Sequence, residues 1–296
     1  MRKKLLFFLN PNAGHQELKT HLLEILQIFT EGGYEVTVHP TRHPGDATEQ
    51  IRSRGAEFDA IVCAGGDGTL NEAISGLMSL ERRPLLGYLP CGTVNDMAAT
   101  LGLNRHPVAA AKAIVEGSPK PLDTGHFSPD RWFAYVAGFG AFTDVSYQTP
   151  QEDKRIFGRL AYLANGVRSL GEIRPLHVRF SVGGTDYEDD LLLGLVCSTT
   201  SVGGFHPKAE DLDVKLDDGL FEVVLAKNIT SLNDLNALAT LLLKGTFDPK
   251  FFYTFQTDRI SFSFDEPVKW TLDGEFGGQR DHVVIETRRR AVELLA

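Results

Sequence analysis

The stretch from Ile61 to Glu72 constrains the fold of this chain more than any other part of the sequence. It consists of a short apolar run, then three glycines around Asp67, then residues typical of a helix start. The next apolar residues recur at helical spacing: Ala73, Ile74, Leu77 and Met78. The sequence therefore predicts a strand that ends in a glycine turn, and a helix that begins at that turn.

This turn favours a phosphate ligand. Glycine permits positive φ angles and lets a ligand approach the backbone closely. A turn that opens a helix also directs several backbone N–H groups at whatever lies in front of it. A bare carboxylate such as Asp67 helps there only if a metal ion or a transferred proton is involved. The turn predicts a nucleotide bound together with Mg²⁺, and the alternative is an ordinary strand-to-helix turn that Asp67 caps.

The rest of residues 1–122 repeats this alternation of strands and helices. Strands are predicted at 5–10, 34–39, 58–64 and 85–89, and helices at 18–29, 47–54, 97–101 and 108–116. Such an order predicts an α/β fold, here a Rossmann-like parallel sheet with helices on both faces. Ligands of these sheets bind outside the carboxyl ends of the strands, so the turns after residues 10, 64 and 89 should converge on one crevice.

The pattern changes near Pro119–Asp123, where short strands and turns begin to dominate, among them predicted strands at 259–264, 268–272 and 283–286. Two helices interrupt them, at about 151–170 and 231–244, and Ser231 with Asp234 forms a capping box for the second. We predict a second, β-rich antiparallel sandwich domain at 123–287. The last residues, 288–296, are expected to pack back on the first domain.

Composition excludes several classes of protein. The formal net charge of −9 argues against nucleic-acid binding and against wide adhesion to an anionic membrane. Apolar runs such as Leu5–Leu9 are far too short to span a bilayer. Cys63, Cys91 and Cys197 have no CxxC spacing, which predicts a reducing compartment and argues against a thiolate metal site. We therefore expect a cytoplasmic protein whose membrane contact is local and transient.

Five motifs together resemble a known family. They are Asn10-Pro11-x-x-Gly14, Gly65-Gly66-Asp67-Gly68-Thr69-Leu70-Asn71-Glu72, Pro90-x-Gly92-Thr93-x-Asn95-Asp96, Lys215-Leu216-Asp217-Asp218-Gly219-Leu220-Phe221 and Leu272-Asp273-Gly274-Glu275. Over essentially the whole chain, their order and spacing resemble the lipid kinases of the diacylglycerol kinase catalytic-domain family, above all the soluble bacterial members. Two positions depart from the family pattern: Cys91 replaces the commoner leucine or glycine, and no arginine follows in Met97–Thr100.

The resemblance implies an ATP-dependent kinase that phosphorylates the hydroxyl of diacylglycerol, or of a similar lipid alcohol, to give phosphatidic acid. ATP is then the co-substrate, and Mg²⁺, which prefers oxygen ligands, is expected at Asp67. The residues expected around the nucleotide are Asn10, Pro11, Asn12, Ala13, Gly14, Thr41, Gly65, Gly66, Asp67, Gly68, Thr69, Leu70, Asn71, Thr93, Asn95 and Asp96. Each of them alone is also a common turn-former or helix cap.

The late Asp273-Gly274-Glu275 motif is the expected source of a proton acceptor. A lipid hydroxyl has a high pKa, so a base near its proton helps the transfer. In a strand-like stretch the two carboxylates would point the same way, and their proximity would raise one pKa. The resemblance implies that this motif supplies the base, and we favour Glu275. Asp273 is the alternative base or a metal ligand, and a plain acidic hairpin turn is the structural alternative.

The Lys215–Phe221 motif predicts, on composition alone, a hairpin turn around Asp217-Asp218-Gly219. The resemblance implies instead a second, structural Mg²⁺ site. Asp218 would supply a carboxylate, and Lys215 and Leu220 their carbonyl oxygens.

The acceptor side of the site is less well marked. His206 could line it, and basic and aromatic residues of the 151–170 helix could form a small patch that touches the membrane. An exposed loop histidine and an ordinary solvated helix face are the alternatives. The expected partner is thus a lipid alcohol at the inner membrane surface, and a homodimer is compatible with the sequence.

Two other functions remain open from the sequence. One is a small-molecule kinase of similar fold, such as one that acts on NAD, and the other is a nucleotide-binding regulator without catalysis. The PxGTxND and DGE motifs favour the lipid kinase over the NAD-type kinase. Asp67, Asp273 and Glu275 are all present, which argues against the non-catalytic regulator.

Overall fold

The computed structural model describes residues 2–11, 17–141, 174–199 and 214–296. These residues form two compact units. Unit 1 comprises Met1–Thr124 and Arg289–Ala296, and unit 2 comprises Gly125–Arg288. The expected domain boundaries lie at 122 and 287.

Unit 1 is built from alternating strands and helices. Its elements are β1 (Lys3–Leu9), α1 (Glu17–Glu31), β2 (Tyr34–Pro40), α2 (Asp46–Arg54), a 3-10 turn (Gly55–Glu57), β3 (Ala60–Gly65), α3 (Asp67–Leu77), β4 (Leu85–Pro90), α4 (Asp96–Thr100) and α5 (Pro107–Glu116). The strands form a parallel sheet in the order β4-β3-β1-β2. The end of the chain adds to it, because Leu294 pairs in parallel with Leu86 of β4.

The central strands of this sheet are buried on both faces. Leu5 and Phe7 of β1 pack in one core with the apolar sides of α1 and α5. Leu6 and Phe8 alternate to the opposite face, and they are buried as well. Strands of this kind are near-continuous apolar runs, which is why β1 and β3 could be predicted from the sequence.

The strand order reverses beside β1. The chain goes from β1 to β2 on one side and then to β3 on the other. In open parallel sheets a ligand binds outside the carboxyl ends of the strands, at such a reversal. The end of β1 at Leu9 and the end of β3 at Gly65 therefore mark the expected binding edge.

Unit 2 is mostly antiparallel β-structure. The elements from the end of unit 1 onwards are β5 (Pro119–Phe127), β6 (Arg131–Phe133), β7 (Val136–Gly140), β8 (Leu176–Val182), β9 (Thr185–Cys197), β10 (Phe221–Lys227), α6 (Leu232–Lys244), β11 (Phe252–Thr257), β12 (Arg259–Leu272) and β13 (Glu275–Leu295). Antiparallel pairs connect β11, β10, β9, β7, β12 and β13 in that order, and β8 pairs with both β9 and β12. The core is rich in aromatic side chains, with Phe139, Phe262 and Trp270 in mutual contact.

Several elements of unit 2 differ from the sequence prediction. β12 is one strand where two were predicted, and its pairing register shifts between Ser263 and Val268, as at a β-bulge. β13 is far longer than the predicted 283–286, and β11 was not predicted. The Ser231 cap is confirmed, since the Ser231 side chain accepts a hydrogen bond from the N–H of Asp234. The Asp234 carboxylate accepts from the Ser231 hydroxyl, whereas a capping box would use the Ser231 backbone N–H. The predicted 151–170 helix lies outside the described residues.

Among the residues that the structure describes, no helix is both long enough and apolar enough to cross a membrane.

Candidate functional site

The carboxyl ends of the unit 1 strands carry four turns side by side. The N–H of Asn10 donates to the carbonyl of Ala64 in β3 at 3.0 Å. The N–H of Thr41 donates to the last residue of β1 at 2.9 Å, and that of Cys91 donates to the last residue of β3 at 2.8 Å. The turns after β1, β2, β3 and β4 thus lie in a row along one edge of the sheet.

The two glycine-containing turns touch through their backbones. A Cβ placed on Gly92 would lie 2.4 Å from the Cα of Gly66, and a Cβ on Gly65 would lie 2.3 Å from Oγ1 of Thr69. Real Cβ contacts are never so short, so packing alone requires glycine at both positions. The close approach leaves the backbone of both turns side by side, which is the arrangement that a phosphate cradle needs.

Asp67 connects these turns. It is the first residue of α3, and its carboxylate accepts hydrogen bonds from the N–H groups of Asp96 at 3.1 Å and Met97 at 3.3 Å. These N–H groups open α4 and have no partner within that helix. Asp67 therefore caps a neighbouring helix, whereas the ordinary-turn alternative placed it as the cap of its own.

The oxygen chemistry at Asp67 fits a divalent cation. Carboxylate, hydroxyl and backbone oxygens are the donors that Mg²⁺ prefers, and it keeps several waters. Asp67 is only half-buried, which leaves room for such waters. The α4 contacts hold its carboxylate in one orientation, so Asp67 would be the residue that holds the ion.

Asn95 shapes the second turn. It is buried, has a φ of 56°, and its Oδ1 accepts hydrogen bonds from the N–H of Gly92 at 2.9 Å and the hydroxyl of Tyr88 at 3.2 Å. Its amide nitrogen donates to the Gly92 carbonyl at 2.7 Å. Asparagine tolerates this left-handed conformation better than most residues. A direct contact between Asn95 and the nucleotide stays a prediction.

The remaining predicted nucleotide residues differ in exposure. Partly or fully exposed are Asn10, Pro11, Thr41, Gly66, Gly68, Asn71 and Thr93. Gly65, Thr69, Leu70 and Asp96 are buried, and for these four a nucleotide contact stays a prediction. Asn12, Ala13 and Gly14 lie outside the described residues.

In unit 2 the DGE motif is a tight turn. Leu272 pairs with Glu275, and the two residues between them have positive φ angles, 51° at Asp273 and 82° at Gly274. That geometry is a two-residue hairpin turn. The expectation of a strand-like stretch with both carboxylates on one side is wrong, because Asp273 occupies the turn itself.

The two carboxylates of this motif lie in different surroundings. Asp273 is buried, and its carboxylate accepts hydrogen bonds from the N–H groups of Ala134 at 2.6 Å, Tyr135 at 2.9 Å and Val136 at 3.0 Å. The three N–H donors use both carboxylate oxygens of Asp273 as acceptors. Glu275 is exposed. Asp273 thus anchors the turn to the segment before β7, and Glu275 is the carboxylate on its accessible side.

The Lys215–Phe221 segment has the local shape of a turn. Oδ1 of Asp218 accepts a hydrogen bond from the N–H of Leu220 at 2.9 Å, and Gly219 has a φ of 87°. An aspartate that bonds the backbone two residues on is typical of turns. The carboxylate and backbone carbonyl oxygens here are hard donors that suit Mg²⁺. His206 and the 200–213 stretch lie outside the described residues.

Burial favours the neutral form of all three cysteine thiols. Burial raises the pKa of Cys63 and of Cys197, and it raises that of Cys91 to about 11. None of the three forms a disulfide, and a thiolate is the form that binds metals.

Two family models match this chain. The family described as Diacylglycerol kinase catalytic domain matches residues 4–127, and the YegS C-terminal NAD kinase beta sandwich-like domain matches residues 136–296. The diacylglycerol kinase of Bacillus subtilis strain 168 is 37% identical over 280 residues, which is 93% of this chain and 91% of that relative. That of Staphylococcus saprophyticus is 35% identical over 282 residues, 94% of this chain and 91% of its own.

A solved structure is similar over almost the full length. The crystal structure of a diacylglycerol kinase from Bacillus anthracis strain Sterne has a TM-score of 0.77 and 25% identity, and it covers 99% of this chain and 97% of its own. The two matched domains and the adjoining glycine turns define a two-domain lipid kinase. The chain belongs to the diacylglycerol kinase family.

Proposed function

We propose that this protein transfers the γ-phosphoryl group of ATP to the free hydroxyl of diacylglycerol, or of a similar lipid alcohol, and so forms phosphatidic acid and ADP. The observation that carries the proposal is the contact between the two glycine turns, with Asp67 anchored to both. The two turns lie at the carboxyl edge of a Rossmann-like parallel sheet, which is where such sheets bind nucleotides. The lipid acceptor is inferred from the relatives, which are named diacylglycerol kinase.

Phosphoryl transfer depends mainly on positioning and on neutralising charge. The backbone N–H groups of the turns at Gly66 and Gly92 are proposed to bind the phosphates of ATP. Mg²⁺, when bound, supplies positive charge for the phosphate oxygens, and Asp67 is its proposed ligand. Thr41 and Asn10 are proposed to border the nucleotide from the neighbouring strand ends.

Glu275 is the proposed proton acceptor. As the lipid hydroxyl oxygen attacks the γ-phosphorus of ATP, the hydroxyl proton passes to the Glu275 carboxylate. The bond between the γ-phosphorus and the bridging oxygen breaks, and that oxygen leaves with ADP. Glu275 is favoured over Asp273 because both oxygens of Asp273 already accept backbone hydrogen bonds. Asp273 is then proposed to hold the turn that carries Glu275.

The remaining assignments follow from the family. A second, structural Mg²⁺ is proposed at Asp218 with the carbonyls of Lys215 and Leu220. Because the substrate is a membrane lipid, the protein is proposed to act from the cytoplasm and to contact the inner membrane surface transiently. A homodimer remains compatible with this proposal.

The test is a phosphoryl-transfer assay with acceptors of different chemistry. The purified protein is incubated with labelled ATP and Mg²⁺, and with diacylglycerol, ceramide or sphingosine in mixed micelles, or with NAD. NAD belongs in the panel because the second matched domain is described as NAD kinase-like. We expect transfer to diacylglycerol, and loss of transfer in Glu275→Gln. Phosphorylation of NAD alone, or ATP binding without transfer to any lipid alcohol, would contradict the proposal.

A further inference from the structure

Glu72 joins the helix of the first glycine turn to the loop between β2 and α2. Its Oε1 accepts a hydrogen bond from the N–H of Gly45 at 2.8 Å, and its Oε2 accepts one from the N–H of Ala47 at 3.2 Å. The hydroxyl of Thr48 donates to the Glu72 carbonyl at 2.8 Å. From the sequence alone, Glu72 has no role of its own beyond being the last residue of the Gly65–Glu72 motif.

Asp46 holds the same loop from within. It is fully buried, and it accepts hydrogen bonds from the backbone N–H of Arg42 at 2.9 Å and from the guanidinium at 3.1 and 2.8 Å. A ring nitrogen of His39 lies 3.0 Å from Oδ2 of Asp46. The loop of residues 41–47, called here the 41–47 loop, is therefore fixed at its start by Asp46 and at its end by Glu72.

Thr41 is the first residue of this loop. Its N–H donates to the Leu9 carbonyl at 2.9 Å, which places it beside the end of β1. Gly45 has a φ of 87° and would meet nothing within 4 Å if it carried a Cβ. Its glycine thus serves the backbone path of the loop, because positive φ is costly for other residues.

The carboxylates of Glu72, on α3, and of Asp46, in the loop, lie close together, and this proximity is unfavourable for the charged form of Glu72. Burial raises the pKa of Glu72, and the N–H groups of Gly45 and Ala47 act against that shift. The nearby carboxylate of Asp46 also opposes the charged form of Glu72. Placing two acidic groups together is reasonable where the loop has to keep one conformation.

We propose that Glu72 is a positioning residue for the nucleotide: through Gly45 and Ala47 it sets the 41–47 loop relative to the glycine turn, so that Thr41 meets the bound ATP. This inference rests on the proposed function. Glu72 lies about 7.5 Å along the axis of α3 from Asp67. One rigid helix therefore carries the phosphate turn at its start and the anchor of the nucleotide loop a little over one turn later.

The effect on binding follows from preorganisation. When only a fraction of molecules has the loop in its binding conformation, the apparent affinity falls by that fraction. Replacing the Glu72 carboxylate by an amide removes one acceptor and weakens the anchor. We expect ATP to bind Glu72→Gln about threefold to tenfold more weakly, the range for partial loss of a charge-assisted hydrogen bond.

The experiment compares ATP binding and lipid kinetics in the full-length protein. Isothermal titration calorimetry with Mg²⁺ gives the Kd for ATP, and the assay gives KM for ATP and for the lipid alcohol. Glu72→Gln should raise Kd and KM for ATP together, and leave KM for the lipid and kcat at saturating ATP within about twofold. Glu49→Gln, an exposed glutamate on α2, should match the parent.

Thr48→Val is the matched control for stability. It removes the hydrogen bond between α2 and the Glu72 carbonyl without touching the Gly45 and Ala47 contacts. It should lower the melting temperature and leave the Kd for ATP unchanged. If Thr48→Val weakens ATP binding as much as Glu72→Gln does, the effect is general stability and the inference is overturned.

A second variant covers the case in which Glu72→Gln does not fold. Asp46→Asn loosens the start of the same loop and should also raise the Kd for ATP. Unchanged ATP affinity in whichever variant is folded overturns the inference and leaves the proposed function intact. A parent protein that binds no ATP overturns both.

Discussion

The backbones of Gly92 and Gly66 are in contact: a Cβ on Gly92 would lie 2.4 Å from the Cα of Gly66. One residue follows β4 and the other follows β3, and parallel pairing of Gly65 with Pro90 brings them together. Neither turn can move away without breaking this register. The cradle proposed for the phosphates is therefore a property of two neighbouring strands, and each turn contributes half of it.

We expect Gly92→Ala to separate the two turns. The added methyl group should cost about 1–3 kcal/mol of unfolding free energy, the range for overpacking, and should weaken ATP binding at least tenfold. Gly33→Ala is the control, since Gly33 has positive φ but lies at the amino end of β2, at the opposite edge of the sheet. Calorimetry should show a stability loss in both variants and an affinity loss only in Gly92→Ala.

Asp67 should have two separable effects. Asp67→Ala removes the acceptor for the N–H groups of Asp96 and Met97, which should cost about 1–3 kcal/mol of stability. It should also lower kcat at least about a hundredfold, because a charge-neutralising group is lost. Asp67→Asn keeps one acceptor oxygen for α4. Its loss of thermal stability should therefore be smaller than that of Asp67→Ala, while its activity stays low. A folded Asp67→Asn protein with near-parental turnover would exclude this turn as the active site.

Glu275→Gln tests the proton acceptor. It keeps the shape of the side chain and removes its basicity, so kcat should fall by about 10² to 10⁴. The Kd for ATP, measured by calorimetry, should stay at the parental value. Normal single-turnover chemistry once ATP is bound would refute the assignment.

Asp273→Asn should behave differently from Glu275→Gln. An amide cannot accept from all three N–H groups of 134–136, so the variant should lose about 2–4 kcal/mol of stability, as for a buried charged hydrogen-bond group. Activity should fall because the turn moves, yet the acidic limb of the pH–rate profile should persist. Added Mg²⁺ should not restore it, since backbone donors occupy both oxygens. Restoration by Mg²⁺ would identify Asp273 as a metal ligand.

Asp218→Ala tests the proposed structural Mg²⁺. In the parent, Mg²⁺ should raise the melting temperature, because a ligand bound only by the folded state stabilises it by a few kcal/mol, about 2.7 at a hundred times Kd. In Asp218→Ala this increase should disappear. A thermal scan of parent and variant, with and without Mg²⁺, measures both melting temperatures. Asp217→Ala is the neighbouring control. An identical response to Mg²⁺ in parent and variant would leave the segment as a turn only.

Asp46 predicts a pH dependence of stability. Hydrogen bonding to Arg42, then to His39, holds the pKa of the Asp46 carboxyl well below its usual range. A carboxyl with a lower pKa in the folded state stabilises the protein above its unfolded pKa, about 4, and this contribution is lost as pH falls towards the folded value. Denaturant unfolding between pH 7 and pH 3 should therefore show a steeper loss in the parent than in Asp46→Asn. Parallel curves would contradict the assignment.

Much of unit 1 could be predicted because its strands carry local information. The buried apolar runs of β1 and β3 predict strands, and the glycines after β3, followed by apolar residues at helical spacing, predict the turn and the helix. The same turns, with the late DGE, were enough to indicate a kinase family. In unit 2 the local pattern was weaker, since β13 includes charged residues such as Arg288–Arg290, and pairing with β12 and β4 decides its length.

The sequence by itself determined that an apolar strand ends in a glycine turn that carries a carboxylate and opens a helix, because the apolar run, the glycines and the helical spacing after them are local signals. Only the tertiary structure decided what the individual side chains do. Asp67 caps α4, Asp273 is enclosed by backbone N–H groups, and Glu72 fixes a loop 27 residues away in the chain. The physical reason is that strand register and helix packing determine which hydrogen-bond partners distant in sequence come together. A local sequence pattern does not specify those partners for each residue.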